Sequence, residues 1–359
     1  MNPIRVLVDS YADAGLLNAQ MGNAREIMSR LDGQFQLSTF VVGDPDQRLA
    51  QRTNARLIRL PQRRQSLKIL NEFLWGSHDI LFYLKASPAA RAYLAIRSKW
   101  RDERIVVGLV ESQSNYRSEP TIKPESVRLW ERTILRSDIL ISNSCAVQES
   151  LMKEYGRRSE VVPTGVDTQF FKPQWDRPAN ARVRVLFVGA LRPFKGPRLL
   201  LDAAVRFREA EFVIVGDGMM AAELQARVRD EKLTNVTLTG SLQPIALRDQ
   251  YRRADIFLFP SSWEGSPKVI LEASACGLPI IARRDYRPET VIDGRTGYLG
   301  GSDSELLEIL EKLVSNPPLC RTMGQAARAH SEQFDWGRIT RTWEEIFRRL
   351  VAERRKATV

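Results

Sequence analysis

Two glutamates flank the start of a predicted helix in the second half of the chain. Glu264 precedes this helix and Glu272 lies on its second turn, with Ser266 expected as the N-cap. Pro267 is expected at the first helical position, and the N–H groups at such a helix start form an anion site suited to a phosphate. Eight residues of helix would separate the two carboxylates by roughly 12 Å, so they are expected to contact different parts of one long ligand. Alternatively, Glu264 is an ordinary loop acid and Glu272 balances Lys268, four residues before it.

A lysine lies at another predicted strand-to-helix junction. Lys195 follows the strand that ends at Val188 and stands just before a helix expected to open at Pro197. A lysine at a helix start adds positive charge to the same kind of anion site, although Lys-Gly-Pro is also simply a good loop-to-helix junction. Near the amino terminus, the turn after Val8 has a similar setting. It contains one glycine, Gly15, and is weak evidence for a phosphate loop.

The composition places the chain among globular proteins without a disulfide framework or a zinc site. It has 359 residues, 43% of them hydrophobic, and three scattered cysteines that are never paired at metal-ligand spacing. No apolar run reaches the ~18 residues that a membrane span needs, and no signal peptide is recognisable at the start. The length favours two domains of about 150 residues each, and a reducing cytoplasm is the expected location.

The net charge of +11 is spread over both halves, and one segment is strongly basic. Between Asp46 and Glu72 the chain has seven cations, no acid and several interleaved leucines and isoleucines. This basic segment, Arg48 to Lys68, is either a solvated face or a contact for an anionic membrane surface or a polyanionic ligand. Nucleic acid is not expected as a partner, because no helix-turn-helix, zinc finger or aromatic-basic RNA motif is present.

Short apolar runs alternate with stretches of helical length and spacing in both halves. This alternation predicts α/β architecture with parallel sheets, and the unbroken apolar runs predict strands buried on both faces. A lapse in the pattern near residue 175 predicts two doubly wound domains, 1–172 and 183–335, joined by a linker at 173–182. Ligands of such sheets bind at the carboxyl ends of the strands, so two facing domains would form a cleft. The predicted strands are Val6–Val8, Leu37–Val42, Leu57–Leu60, Ile80–Tyr83, Ile105–Val107, Ile139–Ser142, Val161–Val162, Val183–Val188, Phe212–Val215, Val236–Leu238, Ile256–Phe259 and Leu278–Ala282.

The ordered motifs resemble those of a known enzyme family. Glu264 and Glu272 match its glutamate–seven–glutamate signature, and the segment from Glu272 to Pro279 matches its Glu-Ala-x-Ala-Cys-Gly-x-Pro ending residue by residue. The chain thus resembles the retaining nucleotide-sugar glycosyltransferases of family 4, which have two Rossmann-like domains facing across a cleft (the GT-B fold). A last match implies a C-terminal helix, 336–359, that crosses back to the first domain. The further matches are Gly216-Asp217-Gly218, Pro288-Glu289, Asp293-Gly294-Arg295-Thr296-Gly297, Gly165-Val166-Asp167 and Phe334-Asp335-Trp336.

The resemblance implies a role for each matched residue. Glu272 would hold the ribose hydroxyls of the donor nucleotide, while Glu264 and the Gly265–Val269 backbone would bind the donor sugar and diphosphate. Lys195 would stabilise the negative charge that develops on the departing diphosphate, so that no metal is required. The expected catalytic residues are Lys195, Glu264 and Arg192, and the expected donor-binding residues are Gly15, Gly189, Glu111, Gly265, Ser266, Pro267, Lys268, Val269 and Glu272.

Three positions depart from the family pattern. Ala190 stands where many members have an arginine, and our hypothesis is that Arg192, two residues later, supplies that charge. Glu111 stands where many members have a histidine that lines the donor sugar. A carboxylate there would accept hydrogen bonds from sugar hydroxyls and repel a charged donor sugar. Thr164 replaces the asparagine that usually precedes Gly165, with no evident consequence.

These inferences lead to one functional hypothesis and two alternatives. The chain is expected to be a retaining, metal-independent glycosyltransferase that moves a hexose-type sugar from a UDP- or GDP-sugar to a glycan, lipid-linked or glycolipid acceptor. The implied setting is surface polysaccharide or glycolipid assembly in the cytoplasm or at the cytoplasmic membrane face. One alternative is a nucleotide-sugar epimerase or hydrolase of the same fold, which would turn over without an acceptor. The other is a non-catalytic protein that binds sugar nucleotides.

Overall fold

Two parallel sheets, each surrounded by helices, form the core of the protein. The structure, a computed structural model, describes residues 3–15, 19–97, 103–111 and 124–358. The strands are β1 (Ile4–Tyr11), β2 (Phe35–Val41), β3 (Ala55–Arg59), β4 (Ile80–Phe82), β5 (Ile105–Val110), β6 (Ile139–Ser142), β7 (Glu160–Val161), β8 (Arg184–Val188), β9 (Glu211–Val215), β10 (Val236–Gly240), β11 (Ile256–Phe259), β12 (Ile280–Arg283) and β13 (Gly297–Gly300). The helices are α1 (Ala19–Arg30), α2 (Gln47–Ala50), α3 (Gln65–Trp75), α4 (Pro88–Arg97), α5 (Pro124–Glu131), α6 (Cys145–Tyr155), α7 (Arg198–Arg206), α8 (Ala221–Asp230), α9 (Pro244–Arg253), α10 (Lys268–Ala275), α11 (Asp303–Val314), α12 (Pro317–Ser331) and α13 (Trp336–Thr358). None of these described helices has both the length and the apolar character needed to cross a membrane.

The first sheet has the strand order β3-β2-β1-β4-β5-β6-β7, and every pair is parallel. The interior strand β1 explains why the predicted apolar runs do not alternate with polar residues. Val6 and Val8 of β1 join the core on one face with α1 and α13, whereas Leu7 joins the core on the other face with α3 and α4. Because successive side chains of a strand point to opposite faces, a sheet covered on both sides needs apolar residues at every position.

The last helix, α13, packs into the core of the first domain. The rings of Trp343 and Phe347 lie 4.7 and 5.1 Å from the ring of Phe82 on β4, measured between centroids. The backbone N–H of Asp32 donates a hydrogen bond to Glu344 Oε1 at 2.8 Å. The predicted fold class, two doubly wound α/β domains with a C-terminal helix that returns to the first, is confirmed.

The second sheet has the order β10-β9-β8-β11-β12-β13 and is also parallel throughout. The sequence analysis predicted five of its strands and missed β13. A glycine at each end and a single leucine give β13 no β-branched run to recognise. Gly297 is required for its pairing, because a Cβ there would lie 2.0 Å from the backbone oxygen of Ile280 on the neighbouring strand.

The boundary between the domains differs from the prediction. The segment 164–182 was expected to include the end of the first domain and a linker at 173–182, yet it is part of the second compact unit. The two units are Met1–Pro163 with Trp336–Val359, and Thr164–Asp335.

Hydrogen bonds explain why this segment belongs to the second domain. The N–H of Val166 donates to the carbonyl oxygen of Phe334 at 2.9 Å. Arg328 on α12 donates to the carbonyl oxygen of Phe171 at 3.1 Å, and the Phe171 ring packs against the core of the second domain. The prolines that indicated a linker therefore lie in irregular chain that is fixed by its contacts, which local sequence does not reveal.

Candidate functional site

The chain order of the second sheet reverses between β8 and β11. From β8 the chain moves outward through β9 and β10 on one side, and then returns to place β11, β12 and β13 on the other side. Ligands of doubly wound sheets bind at the carboxyl ends of the strands at such a switch point. Lys195 lies in the connection after β8 and Glu264 in the connection after β11, so two of the predicted catalytic residues fall at this position.

Backbone geometry determines the position of Lys195. It ends a single 3-10 turn, Pro193–Lys195, and Gly196 follows in the left-handed conformation with φ of 66°. A Cβ at Gly196 would lie 2.9 Å from the carbonyl oxygen of Pro260, so glycine is what lets the β8 connection approach the β11 connection closely. The ammonium group lies 5.3 Å from the ring centroid of Phe259, the last residue of β11.

Lys195 and Glu264 contact each other directly. Lys195 Nζ forms an ion pair with Glu264 Oε1, and the two side chains are 18% and 12% exposed. The same carboxylate oxygen accepts a hydrogen bond from Ser261 Oγ at 2.6 Å, and the N–H of Ser262 donates to the carbonyl oxygen of Phe194 at 2.9 Å. The two connections are thus joined by hydrogen bonds, and they hold a cation and a carboxylate together at the switch point. The sequence predicted both residues but not their contact.

The helix after Glu264 begins one residue later than the sequence predicted. Pro267 occupies the cap position of α10 with φ of −71° and ψ of 114°, and no side chain caps the helix. The prediction of Ser266 as N-cap is therefore wrong, because these angles place Pro267 outside the helix. The first N–H groups of any helix lack partners inside it and favour an anion. Gly265 and Val269, two of the predicted donor-binding residues, lie on either side of this helix start.

Glu272 is held by a tyrosine that the sequence analysis missed. Tyr251 on α9 is fully buried, and its hydroxyl donates a hydrogen bond to Glu272 Oε2 at 2.9 Å. Burial raises the pKa of Glu272, while the charge of Lys268 and the Tyr251 hydroxyl oppose that shift. Lys268 therefore balances Glu272 electrostatically, as the simpler alternative predicted. No motif marks Tyr251, because its role depends on the packing of α9 against α10.

The turn after β9 supports the connection that contains Gly189. The N–H of Leu191 donates to the carbonyl oxygen of Asp217 at 2.9 Å. Gly216 has a φ of 138°, and a Cβ there would lie 1.9 Å from the carbonyl oxygen of Gly189. The matched glycine of the Gly-Asp-Gly motif is thus needed for a close backbone approach. Arg192 is exposed and makes no ion pair with any residue that the structure describes, so its guanidinium is available to a ligand.

The other two predicted donor-site residues belong to the first domain. Glu111 follows β5, and its Oε1 accepts hydrogen bonds from the Tyr83 hydroxyl at 2.8 Å and from the Asn23 amide at 3.1 Å. Gly15 is exposed, and a Cβ there would meet nothing within 4 Å. Among the described residues, which exclude 16–18, no contact requires a glycine at this position, in contrast to the close approach at a phosphate loop.

The switch point of the first sheet contains a buried acid that the sequence analysis missed. The strand order reverses between β1 and β4, and Asp9 of β1 accepts a hydrogen bond from the N–H of Lys85 at 2.8 Å. Burial raises the pKa of Asp9 to about 6, and the charge of Lys85 opposes the shift. The ammonium of Lys85 lies 3.8 Å from the ring centroid of Tyr11. The available signal was an acid that directly follows the apolar run of β1.

The basic segment is partly neutralised by acids of the first domain. Arg48 forms ion pairs with Glu26 and Asp46, and Arg56 forms one with Glu72. Other cations of the segment are exposed and form no ion pair with a described residue; these are Arg59, Arg63, Arg64 and Lys68. The exposed cations without an ion pair thus extend from the end of β3 to the first turn of α3.

Comparison with protein families and curated proteins identifies similar chains. Residues 168–330 match the family model of glycosyl transferases group 1. The D-inositol 3-phosphate glycosyltransferase of Paenarthrobacter aurescens (strain TC1) is 30% identical over 262 residues, which are 67% of this chain and 64% of that protein. The enzyme of the same name from Streptomyces bingchenggensis (strain BCW-1) is 30% identical over 60% of this chain and 54% of that protein. The chain thus spans between half and two thirds of the length of these relatives.

Solved structures are similar over nearly the whole chain. Sucrose-phosphate synthase (tll1590) from Thermosynechococcus elongatus covers 98% of this chain and 100% of its own with a TM-score of 0.81 at 19% identity. Anabaena Alr3699/HepE, solved in complex with UDP-glucose, covers 96% of this chain and 99% of its own with a TM-score of 0.74 at 19% identity. These structural similarities extend over both domains and agree with the GT-B fold.

Proposed function

We propose that the protein is a retaining glycosyltransferase, because residues 168–330 match the family model of glycosyl transferases group 1. It transfers a hexose-type sugar from a UDP- or GDP-sugar to a glycan, lipid-linked or glycolipid acceptor. The observation that carries the proposal is the Lys195–Glu264 pair at the switch point of the second sheet, beside the start of α10. The similar Anabaena protein binds UDP-glucose, which supports a uridine donor.

In this proposal the donor diphosphate lies at the start of α10 and against Lys195. When the bond between the anomeric carbon and the phosphate oxygen breaks, its electron pair goes to the diphosphate. Lys195 and the exposed Arg192 stabilise that added charge, and the helix N-terminus contributes its partial positive charge. These groups are in place before the reaction, so no reorganisation is needed when the charge develops. No metal is part of the proposal.

The two glutamates have separate tasks. Glu264 is anchored by Ser261, and it shares Lys195 with the incoming diphosphate. Its remaining lone pairs accept hydrogen bonds from hydroxyls of the donor sugar. Glu272, oriented by Tyr251, accepts hydrogen bonds from the ribose hydroxyls. Because an ionised carboxylate accepts hydrogen bonds more strongly than a protonated carboxyl group does, donor affinity should fall as the pH decreases through the raised pKa of Glu272.

The first domain is proposed to hold the acceptor and to contact an anionic membrane. Arg63, Arg64 and Lys68 are exposed, and Leu67 between them is 61% exposed. Exposed cations with an apolar side chain among them suit the surface of an anionic bilayer. Sedimentation at low salt should show binding to phosphatidylglycerol vesicles and none to phosphatidylcholine vesicles. If the protein sediments equally with both kinds of vesicle, or with neither kind, the membrane contact is refuted.

A thermal-shift panel with UDP, GDP, ADP and their sugar conjugates tests the donor site. A ligand that binds only the folded state raises stability by about 2.7 kcal/mol at a hundredfold excess over Kd. We expect a shift with one nucleotide family that is lost in Glu272→Ala. No shift with any nucleotide would contradict the proposal.

Turnover then separates the three functional hypotheses. A transferase releases the nucleoside diphosphate only when an acceptor is added. Release or epimerisation of the donor without an acceptor would favour the hydrolase or epimerase alternative. Binding with no turnover, together with unchanged function in cells of a Lys195→Ala, Glu264→Ala variant, would favour the non-catalytic alternative.

A further inference from the structure

A polar cavity of about 530 Å³ lies at the amino ends of β1, β2 and β3 in the first domain. Its volume is within the range of about 300–1,000 Å³ that is common for ligand pockets. The switch point with Asp9 and Lys85 lies at the opposite edge of the same sheet, where the strands end. None of the residues that we propose for donor binding lines this cavity.

Several polar side chains on the cavity wall are not committed to other contacts. Gln36, Asn71 and Ser77 are exposed, and their side chains make no hydrogen bond to any residue that the structure describes. Each amide has both donors and an acceptor, and the serine hydroxyl has one of each kind. A wall of this composition suits a ligand with many hydroxyl groups, because every hydroxyl is also both a donor and an acceptor.

The charges on the wall are already compensated. Arg56 binds both oxygens of the buried Glu72, at 3.0 and 3.2 Å, and Arg5 pairs with Asp79 at 3.0 Å. Burial lowers the pKa of His78, whose Nε2 lies 2.9 Å from Glu72 Oε1, and Glu72 opposes that shift. An anionic ligand would have to compete with these carboxylates for the arginines. An uncharged ligand does not have this cost.

Trp75 adds a flat apolar surface to the cavity. Its side chain is 68% exposed at the last position of α3, although tryptophan usually buries most of its surface. A pyranose ring has a face of C–H groups that stacks on an indole, and its hydroxyls point outward from the ring edge. An aromatic surface beside uncommitted amides therefore presents both kinds of contact that a sugar ring makes.

We propose that this cavity is a second carbohydrate site, which binds an uncharged sugar unit of a glycan without catalysing a reaction. The sugar stacks on Trp75, and its hydroxyls bond to Gln36 and Asn71. Such a site holds a glycan chain on the first domain at the sheet edge away from the switch point. The proposal does not depend on the transferase function, because Lys195 and Glu264 are not part of the cavity.

Fluorine NMR on the full chain labelled with 5-fluorotryptophan tests the site. The Trp75 resonance is identified by its loss in Trp75→Phe. Titration uses maltohexaose, cellohexaose, mannohexaose and N-acetylchitohexaose at millimolar concentrations. We expect the Trp75 resonance to move with at least one of them, while the resonance of Trp175, which is 47% exposed in the second domain, does not move. Gln36→Ala and Asn71→Ala should each weaken binding by about fivefold to tenfold.

Three outcomes would refute the proposal of a second carbohydrate site. In the first, the Trp75 resonance does not move with any of the four sugars, and in the second, it moves but neither Gln36→Ala nor Asn71→Ala changes the titration. In the third, it moves with adenosine, inorganic phosphate or phosphatidylglycerol vesicles but not with sugars. Trp175→Phe is the matched control and should leave the titration unchanged. Circular dichroism verifies the folding of each variant. The UDP thermal shift on the same samples keeps the two proposals separate, since UDP binding without sugar binding refutes only the second site.

Discussion

Replacing Tyr251 by phenylalanine tests whether a single hydroxyl holds Glu272 in place. The substitution removes one fully buried oxygen atom, which donates a hydrogen bond to Glu272 Oε2 at 2.9 Å. A hydrogen bond to a charged group contributes about 1.5–3 kcal/mol to stability. We therefore expect Tyr251→Phe to lower the free energy of unfolding of the second domain by about 1.5–3 kcal/mol.

Tyr286 provides a matched control for this substitution. It is also fully buried in the second domain, but its hydroxyl has no hydrogen-bond partner among the described residues. Tyr286→Phe thus removes the same atom without removing a hydrogen bond. Because a buried hydroxyl without a partner is unfavourable, this variant should be as stable as the natural protein or more stable. Chemical denaturation of both variants measures the difference.

Tyr251→Phe should also have an effect on nucleotide binding that a purely structural role of Tyr251 would not produce. The Tyr251 hydroxyl lowers the pKa of Glu272, which burial raises. Its removal should move that pKa further upward, so the decline of UDP affinity at low pH should begin at a higher pH than in the natural protein. Calorimetric titration with UDP across the acidic and neutral range measures this shift.

Two results would refute this reasoning. Equal losses of stability in Tyr251→Phe and Tyr286→Phe would mean that the hydrogen bond to Glu272 contributes nothing. An unchanged pH profile for UDP, despite a loss of stability, would mean that the carboxylate of Glu272 does not take part in nucleotide binding.

Three further experiments test other parts of the structure. Lys195→Ala should lower kcat by about 10²–10³-fold in an assay of UDP release, because it removes the placed cation, and a loss below tenfold would count against that role. Asp9 has a raised pKa of about 6 in the folded protein, so the folded state binds its proton more tightly than the unfolded chain does. The free energy of unfolding should therefore decline by up to about 3 kcal/mol as the pH rises from 4 towards 7. Urea denaturation should show a smaller decline in Asp9→Asn. An equal decline in the variant and the natural protein would exclude Asp9 as its source. Gly216→Ala places a Cβ 1.9 Å from a backbone oxygen, whereas Gly156→Ala, also at positive φ, meets nothing within 4 Å. Thermal denaturation should show about 1 kcal/mol of loss for Gly156→Ala and a clearly larger loss for Gly216→Ala, and similar losses would argue against the close approach.

The strands were predictable because their signal is local. All the predicted strands are present within three residues of their expected bounds, since a sheet covered on both faces requires an apolar residue at each position of a strand. β13 was missed because Gly297 and Gly300 bound a segment without that signal. The helix start at Lys268 was misplaced by one residue, because Ser266 and Pro267 are compatible with either start and packing selects between them.

The domain boundary depended on contacts between distant residues. The sequence near residue 175 has the prolines of a linker, yet the N–H of Val166 is bonded to Phe334 and Arg328 is bonded to Phe171. These partners are more than 150 positions away in each case. No window of local sequence contains both members of such a pair.

The sequence by itself determined which side chains follow the strands, in the connections and at the starts of the helices, and hence which chemistry is available there. Lys195, Glu264 and Glu272 were singled out by residue type and by their spacing around predicted helix starts, and the family resemblance supplied their expected roles. Only the tertiary structure decided which of these groups meet. The Lys195–Glu264 ion pair requires β8 and β11 to be neighbours, and the hydrogen bond from Tyr251 to Glu272 requires α9 to pack on α10. Strand order and helix packing are set by the burial of whole surfaces, and a short motif contains only one side of each such contact.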